Sequence, residues 1–512
     1  MNKSIIHRFL RRQLKCALAL AAPLWLGGVT GAAADAPPAQ KDRVLTIDEV
    51  VQMALTNNLD ILISRLNPVI DQYALNGLYG AYEPSFSMSA VHNYNDLPGG
   101  VFPQAGLFFG STLEKIDSYS PGLSGTLPTG LTYNFTGPIS RQNINEYGFS
   151  SMDYTSDPGV TLSQPLLKNL WIDNTRYQIQ ASRKTLKMDQ LALRLQIMTV
   201  VNNIKAAYFN LIYSRQNVRV EEQAVQLAQE TMREDERRVQ VGALAPLDQK
   251  QAESQAASAE SDLLTAQTAL VVQENVLKNL LAFHLGEWTG VTPVPSEELL
   301  AVPENPDEQE CWRAGLARRP DYLQAKAGVE KQHLTIKYTF NQLFPEVDVL
   351  GSYGRNATEL TFSQNLDTIR QGKYPYYSYG ISLTVPLGNS SARYNYKSAK
   401  ASLEQLLLQL KKTEAAIVLA IDNDVKTIRS DLLKVDATRK ARLYAEEALQ
   451  AEQTKLEHGK STSFFVLQLQ NNLTTARSAE IRALADYNIA LEQLAFDDGA
   501  TLERNHLEFP AR

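Results

Sequence analysis

The residues able to do chemistry are few, and their spacing does not suit it. His7, His92, His284, His333, His458 and His506 are scattered, with none of the paired intervals that hold a metal ion. Asp422 and Asp424 could form a pair of acid–base carboxylates. Residues two apart on a helix do not share a face, however, so a solvated helix surface is expected for both. The run Arg233-Glu234-Asp235-Glu236-Arg237-Arg238 reads as a mixed-sign helix face that needs no ligand. The sequence has no phosphate-cradling loop, dinucleotide fingerprint or nucleophile elbow. The expectation is a protein that is not an enzyme, with no catalytic residue, cofactor or metal.

The elements that would position such residues come in two copies. Leu55, Asp60 and Pro84 return as Leu316, Asp321 and Pro345, each 261 positions later. Gly242 and Gln251 return as Gly459 and Gln468, each 217 positions later. Each copy reads helix, strand, loop, strand, very long helix, turn, helix. A repeated unit of this size suggests a wall element built for repetition around an axis. The segmentation expected is a signal peptide over 1–34, a first repeat over 45–285, a linker over 286–308, a second repeat over 309–497 and a polar tail over 498–512. The linker is proline-rich, with Pro293, Pro295, Pro303 and Pro306.

The first residues read as a targeting signal. Lys3, Arg8, Arg11, Arg12 and Lys15 precede an apolar stretch from about Cys16 to Val29 and the small-residue run Gly31-Ala32-Ala33-Ala34. Removing five basic and no acidic groups takes the net charge from −6 to −11, which argues against nucleic acid as a partner. Lys15 before Cys16 does not fit a lipoprotein cleavage box, and Cys311 is then the one mature cysteine, so an intrachain disulfide is excluded. No later stretch is apolar enough to cross a bilayer as a helix. Entry into a membrane would require a closed β-barrel.

A helix is expected over 47–82, opened by a capping box of Thr46 and Glu49 and ended by Pro84. The period then changes to two. Phe86, Met88, Ala90 and Tyr94 alternate with Ser85, Ser87, Ser89 and Asn93; after Pro345, Val347, Val349 and Tyr353 alternate with Glu346, Asp348 and Ser352. Return strands place Tyr154, Val160 and Leu162 in the first copy, and Tyr377, Tyr379, Ile381 and Leu383 in the second, opposite small polar residues. Such strands could form one sheet of a soluble sandwich. Hydroxyls on the polar face and tyrosines near strand ends favour a membrane barrel. Phe86, Met88, Val160, Leu162, Val347, Val349, Tyr379, Ile381 and Leu383 would then face lipid. Loops are expected over about 95–121 and 355–375, with an extra hairpin of unclear placement over 122–145.

Long helices follow over about 174–241 and 390–457, then shorter ones over about 246–283 and 462–496. Val418, Ile421, Val425, Ile428, Leu432 and Val435 recur at alternating spacings of three and four, a heptad seam. The short helices of each copy add up to about one long helix, so two should stack end to end beside each long one.

These features resemble the TolC-type outer membrane efflux proteins. The resemblance rests on Ser163-Gln164-Pro165-Leu166-Leu167, Ala207-Tyr208-Phe209-Asn210-Leu211 and the stretch from Gly242 through Asp248 to Ala252-Glu253. In the second copy it rests on Gly459, Val466-Leu467, Leu473, Ala476 and Ala485-Asp486-Tyr487. It implies an α+β homotrimer in the outer membrane of a Gram-negative bacterium. Each chain would give four strands to a 12-stranded transmembrane β-barrel, continued by a long periplasmic α-helical barrel. The implied function is a passive export conduit of a tripartite efflux or type I secretion system. The implied partners are a periplasmic adaptor, an inner-membrane transporter reached through it, and outer-membrane lipid. Val241, Gly242, Ala243, His458, Gly459 and Lys460 would form the periplasmic tip where the adaptor docks. Leu456, Ser461, Phe464, Phe465 and Gln468 fall at the family's gate, with Phe465 and Gln468 in place of acids, so Phe464 and Phe465 either form an apolar constriction or pack the helix hairpin. The alternative, a periplasmic adaptor, would carry one central hairpin rather than two.

Overall fold

In the computed structural model, which describes residues 41–102, 107–146, 149–242, 244–282 and 285–507, the two copies form neighbouring strips of one α+β wall. The expected signal peptide and Ala243 lie outside the described residues. In chain order the first copy comprises β1 (Lys41–Leu45), α1 (Ile47–Asn57), α2 (Leu59–Leu78), β2 (Ser85–Leu97), β3 (Gly100–Phe102), β4 (Leu107–Phe109), β5 (Thr112–Thr126), β6 (Thr132–Thr136), β7 (Ile139–Glu146), β8 (Phe149–Ser156), β9 (Gly159–Pro165), α3 (Asn174–Gln240) and α4 (Pro246–Leu281). After β10 (Val291–Pro295), the second has α5 (Glu308–Arg318), α6 (Pro320–Asn341), β11 (Glu346–Arg355), β12 (Ala357–Glu359), α7 (Phe362–Gln371), β13 (Pro375–Thr384), α8 (Ser390–Glu457) and α9 (Ser463–Asp497). The short α10 (Thr501–Arg504) follows.

The long helices α3 and α8 have 67 and 68 residues, about 100 Å at 1.5 Å per residue. Packing places them in a layer of four columns: α2 with α4, then α3, then α6 with α9, then α8. The end-to-end stacking of short helices is therefore present in both copies. Ile421, Val425, Ile428 and Val435 of the heptad seam are buried, in a cluster that also holds Tyr322, Tyr487 and Leu494.

The helix expected over 47–82 is broken. Its capping box is present, but Asn58 leaves the helical region at ψ 123°. The Asn58 Oδ1 then caps α2, accepting from the backbone N–H groups of Asp60 at 3.0 Å and Ile61 at 3.3 Å. The second copy breaks at the matching position, Arg319, with Pro320 opening the next helix.

The sheet differs most from expectation. The loop expected over 95–121 is shorter at both ends, because β2 runs to Leu97, β5 starts at Thr112, and β2 pairs along its whole length with β5. The hairpin expected around Pro128-Thr129-Gly130 is the β5–β6 turn, with Gly130 at φ 87°. In cross-section the order is β2, β5, β6, β9, β11, β13, so six strands cross the sheet rather than four. Gly137-Pro138 separates β6 from β7, and Asp157-Pro158 separates β8 from β9, where proline lacks the N–H a ladder needs. Tyr154 thus sits on β8, apart from Val160 and Leu162 on β9. The second expected loop, 355–375, holds β12 and α7. There the buried Asn365 donates through Nδ2 to the carbonyls of Tyr154 at 2.6 Å and Ala357 at 3.1 Å.

The linker is more than a connector. Its strand β10 pairs in parallel with β1, from Lys41 opposite Val291 to Leu45 opposite Pro295. Trp288 and Leu299 join the main core with Leu45, Ile61, Tyr208, Leu211, Leu277 and Leu281. The Tyr208 hydroxyl donates to the Leu45 carbonyl at 2.9 Å. The start of the tail is also packed, with Thr501 and Leu502 buried.

Candidate functional site: an amphipathic sheet and a helical tip

Antiparallel pairing puts directly opposed residues on one face. Phe86 opposes Leu123, Leu123 opposes Phe135, Phe135 opposes Val160, Val160 opposes Tyr353, and Tyr353 opposes Tyr377. One apolar row therefore crosses all six strands. Val349 and Val347 oppose Ile381 and Leu383, and Gly351 links Leu162 to Tyr379. With Met88 two residues from Phe86, the nine residues expected to face lipid share this face. No part of the described chain covers it: Phe86 is 72 % exposed and Ile381 73 %. The opposite face repeats small polar groups. Ser85, Ser124, Asn134, Thr161, Ser352 and Ser378 oppose one another in turn. Leu350 is an apolar exception on that side.

At the far end of the helices, both turns are glycine-capped. Gly242 and Gly459 have φ of 72° and 69°, the left-handed conformation that closes a helix. Lys460 donates its N–H to the Lys455 carbonyl at 2.9 Å and Gly459 to Leu456 at 3.0 Å. Val241, His458 and Lys460 are exposed beside them. Of the expected gate residues, Leu456 packs inward on the cluster of Leu449, Val466 and Leu473. Ser461 donates to Glu452, which also pairs with Lys455 at 2.7 Å. These bonds, Lys455 first, hold the Glu452 carboxyl below its usual range. Phe464 and Phe465 are about half exposed and meet edge to face at 5.6 Å, with Gln468 exposed nearby.

Two acidic residues depart from the solvated surface expected of them. Asp235, inside the mixed-sign run, is buried and accepts a hydrogen bond from Ser463 Oγ at 2.6 Å, tying α3 to α9 close to the tip. Burial pushes its carboxyl up, opposed by the Ser463 hydroxyl and Arg238. Further polar bonds follow the same seam: Gln470 to Thr231 at 3.0 Å, Asn202 to Gln493 at 2.9 Å, and buried Lys205 to Glu492 at 3.0 Å. Asp235 is the counterpart of Glu452 at the 217-residue offset. Both acids serve hydroxyls at the start of the second hairpin's return helix, and that correspondence is the signal the sequence held.

The second departure is at the break in the second copy. Asp422 and Asp424 do point apart. Asp422 pairs with Lys426 at 2.6 Å, while Asp424 turns inward toward Asp497 and Arg319. Arg319 grips Asp321 with two bonds, at 3.0 and 2.8 Å, and also pairs with Asp497. Burial, then the Asp497 carboxyl beside it, push Asp424 up to about 8, against the pull of Arg319.

The family model described as outer membrane efflux protein matches residues 132–282 and 313–500. The outer membrane efflux protein BepC of Brucella suis is 22% identical over 68% of this chain and 73% of its own length. Nodulation protein T of Rhizobium leguminosarum is 23% identical over 59% of each chain. Among solved structures, the CmeC outer membrane channel of Campylobacter jejuni superposes with a TM-score of 0.65 at 17% identity, covering 89% of this chain and 86% of that one. The open-state MtrE outer membrane channel of Neisseria gonorrhoeae gives 0.62 at 17% identity, covering 90% and 91%.

Proposed function

This chain belongs to the outer membrane efflux protein family and is an outer-membrane protein that extends into the periplasm; on that premise we propose that three copies close into one passive export channel. The observation that carries the reading is that the chain is an open wall. Among the described residues β2 pairs only with β5 and β13 only with β11, leaving a free edge at each side of the sheet. An open edge in lipid is untenable, because unpaired backbone groups there cost several kcal/mol each. The helical layer also ends in uncovered apolar residues. Ile63, Leu66, Ile70 and Tyr73 line α2 on one side, and Leu408, Leu419 and Leu433 lie on α8 at the other. Joining edge to edge around a threefold axis pairs the strands and buries these stripes together.

In this reading the apolar face meets lipid and the hydroxyl face meets water in the lumen. The glycine-capped turns form the end where a periplasmic adaptor docks and through it an inner-membrane transporter. Phe464 and Phe465, free of the hairpin core, narrow the lumen there. The assembly is one of tripartite efflux or type I secretion. Light scattering on detergent-solubilised protein tests the copy number: a monodisperse trimer is expected, and a monodisperse monomer refutes it. Phe465→Ala should raise single-channel conductance; an unchanged conductance removes Phe465 from the constriction.

A further inference from the structure

We propose that the inserted strands β5 and β6–β7 are full members of the membrane wall, so that three copies close an eighteen-stranded barrel with a lumen much wider than twelve strands allow. The inference rests on the trimeric channel reading above.

Three observations carry it. The first is continuity. The pair lies inside the ladder, between β2 and β9, and hydrogen-bonds on both sides. A plug or a surface hairpin would leave β2 and β9 paired with each other. The second is parity. Leu123 and Phe135 stand on the same face as Phe86 and Tyr353, while Ser124 and Asn134 stand with Ser85 and Ser352. Leu123 and Phe135 remain 40 % and 47 % exposed although strands flank them on both sides. An inserted pair folded into an aqueous lumen would have no use for that apolar row. The third is height. The β5–β6 turn descends to the level where β9 gives way to α3. Gln164 Nε2 donates to the Thr129 carbonyl at 3.3 Å, and a Cβ on Gly130 would meet Arg176 Nη2 at 3.2 Å and Pro165 Cγ at 3.3 Å. The pair thus spans the wall from its helical end upward.

The dimensions agree. With strands about 4.8 Å apart and tilted by about 40°, twelve strands enclose a backbone cylinder about 24 Å across and eighteen one of about 36 Å. Twelve helical columns packed at about 8–10 Å give a cylinder of about 31–38 Å. Eighteen strands therefore match the width of the helical barrel. The inserted segment adds hydroxyl and amide groups to the luminal belt, at Ser120, Ser124, Thr132 and Asn134.

The test uses the full chain in a Cys311→Ala background, reconstituted in lipid vesicles. Single cysteines are placed in the insertion by Leu123→Cys, Phe135→Cys, Ser124→Cys and Asn134→Cys, and outside it by Phe86→Cys and Ser85→Cys. A charged, membrane-impermeant maleimide should label the Ser124, Asn134 and Ser85 variants at least about tenfold faster than the Leu123, Phe135 and Phe86 variants, since labelling follows access to water. If the Leu123 and Phe135 variants label as fast as Ser124 while Phe86 stays protected, the insertion lies off the wall and the eighteen-strand inference fails alone. If Phe86 also labels fast, the barrel reading fails with it. Particle imaging of the solubilised trimer gives an independent count: eighteen strands support the inference, and twelve overturn it.

Discussion

At Asn58 the first copy breaks its short helix with a neutral amide, and at Arg319 the second does so with a guanidinium. Both side chains reach the same place, the carbonyl that ends the hairpin's return helix: Asn58 Nδ2 to Leu280 at 3.0 Å and Arg319 Nη1 to Asp497 at 3.5 Å. At the 217-residue offset Ala207, Leu280 and Leu281 of the first copy become Asp424, Asp497 and Asp498. Ala207 and Leu281 belong to the apolar core that takes in Ile61, whereas Asp497 pairs with Arg319 and Asp424 lies beside both. One junction is sealed by apolar packing, the other by a cation among carboxylates. The geometry of the repeat is thus held by backbone, and the surrounding chemistry is free to diverge. Ile61, just after the first break, sits in the larger core, and Tyr322, just after the second, sits in a smaller cluster.

The comparison breaks most visibly at Arg319. Arg319→Ala should destabilise the solubilised protein by about 3–5 kcal/mol, because it strands buried carboxylates without their cation. The thermal midpoint of heat-modifiable migration measures this, and a loss no greater than at Asn58 would show the charges to be incidental. Next come the two turns, where the copies are alike. Nothing crowds either glycine, so Gly242→Ala and Gly459→Ala should each cost about 1–2 kcal/mol through the left-handed backbone alone. Unequal losses in hydrogen exchange at the tip would mean that the two turns carry different loads. Asn58→Ala should cost about 1 kcal/mol, the value of a helix cap.

The smallest effect is one of pH. Because Asp424 is pushed up to about 8, the folded junction keeps a proton that the unfolded chain releases near its ordinary value of 3.8. Stability contributed by this group is full below that value and falls as pH rises toward 8. Exchange at the Arg319 and Leu323 amides, corrected for its intrinsic pH dependence, should therefore quicken from pH 5 to 8, and Asp424→Asn should flatten the trend. The amides of Asn58 and Leu62 should not follow it. A matching rise at both junctions would assign the effect to the whole fold.

Much of the helical layer was readable because long uninterrupted periodicity leaves few alternatives. The Thr46–Glu49 box, the heptad seam and both turn glycines are local signals, and the folded chain uses them locally. The failures share a cause in distance along the chain. Asn58 looked like an ordinary helix residue, since its role depends on Leu280. Asp424 and Asp235 looked solvated, since the groups that bury them come from other helices. The β5 strand was hidden by Gly122, Gly125 and Pro121, residues that weaken a strand signal, and its partner β2 had to be known before its face could be read. The tip and gate residues were found by correspondence with a family. Their positions follow from the turns, and their roles await the experiments above.

The parallel ladder of β1 with β10 carries a consequence for the order in which the chain can fold. Lys41–Leu45 has no strand to join until Val291–Pro295 has been delivered, and the core around Leu45 also takes in Ala485 and Leu502. Contacts of such sequence separation close late. A chain threaded into the periplasm from its amino end therefore keeps Leu45 without its strand partner until the linker between the copies has passed. Completion of that core then reports that both copies have arrived, and a chain stopped before Leu502 is left with an apolar hole for proteases to find.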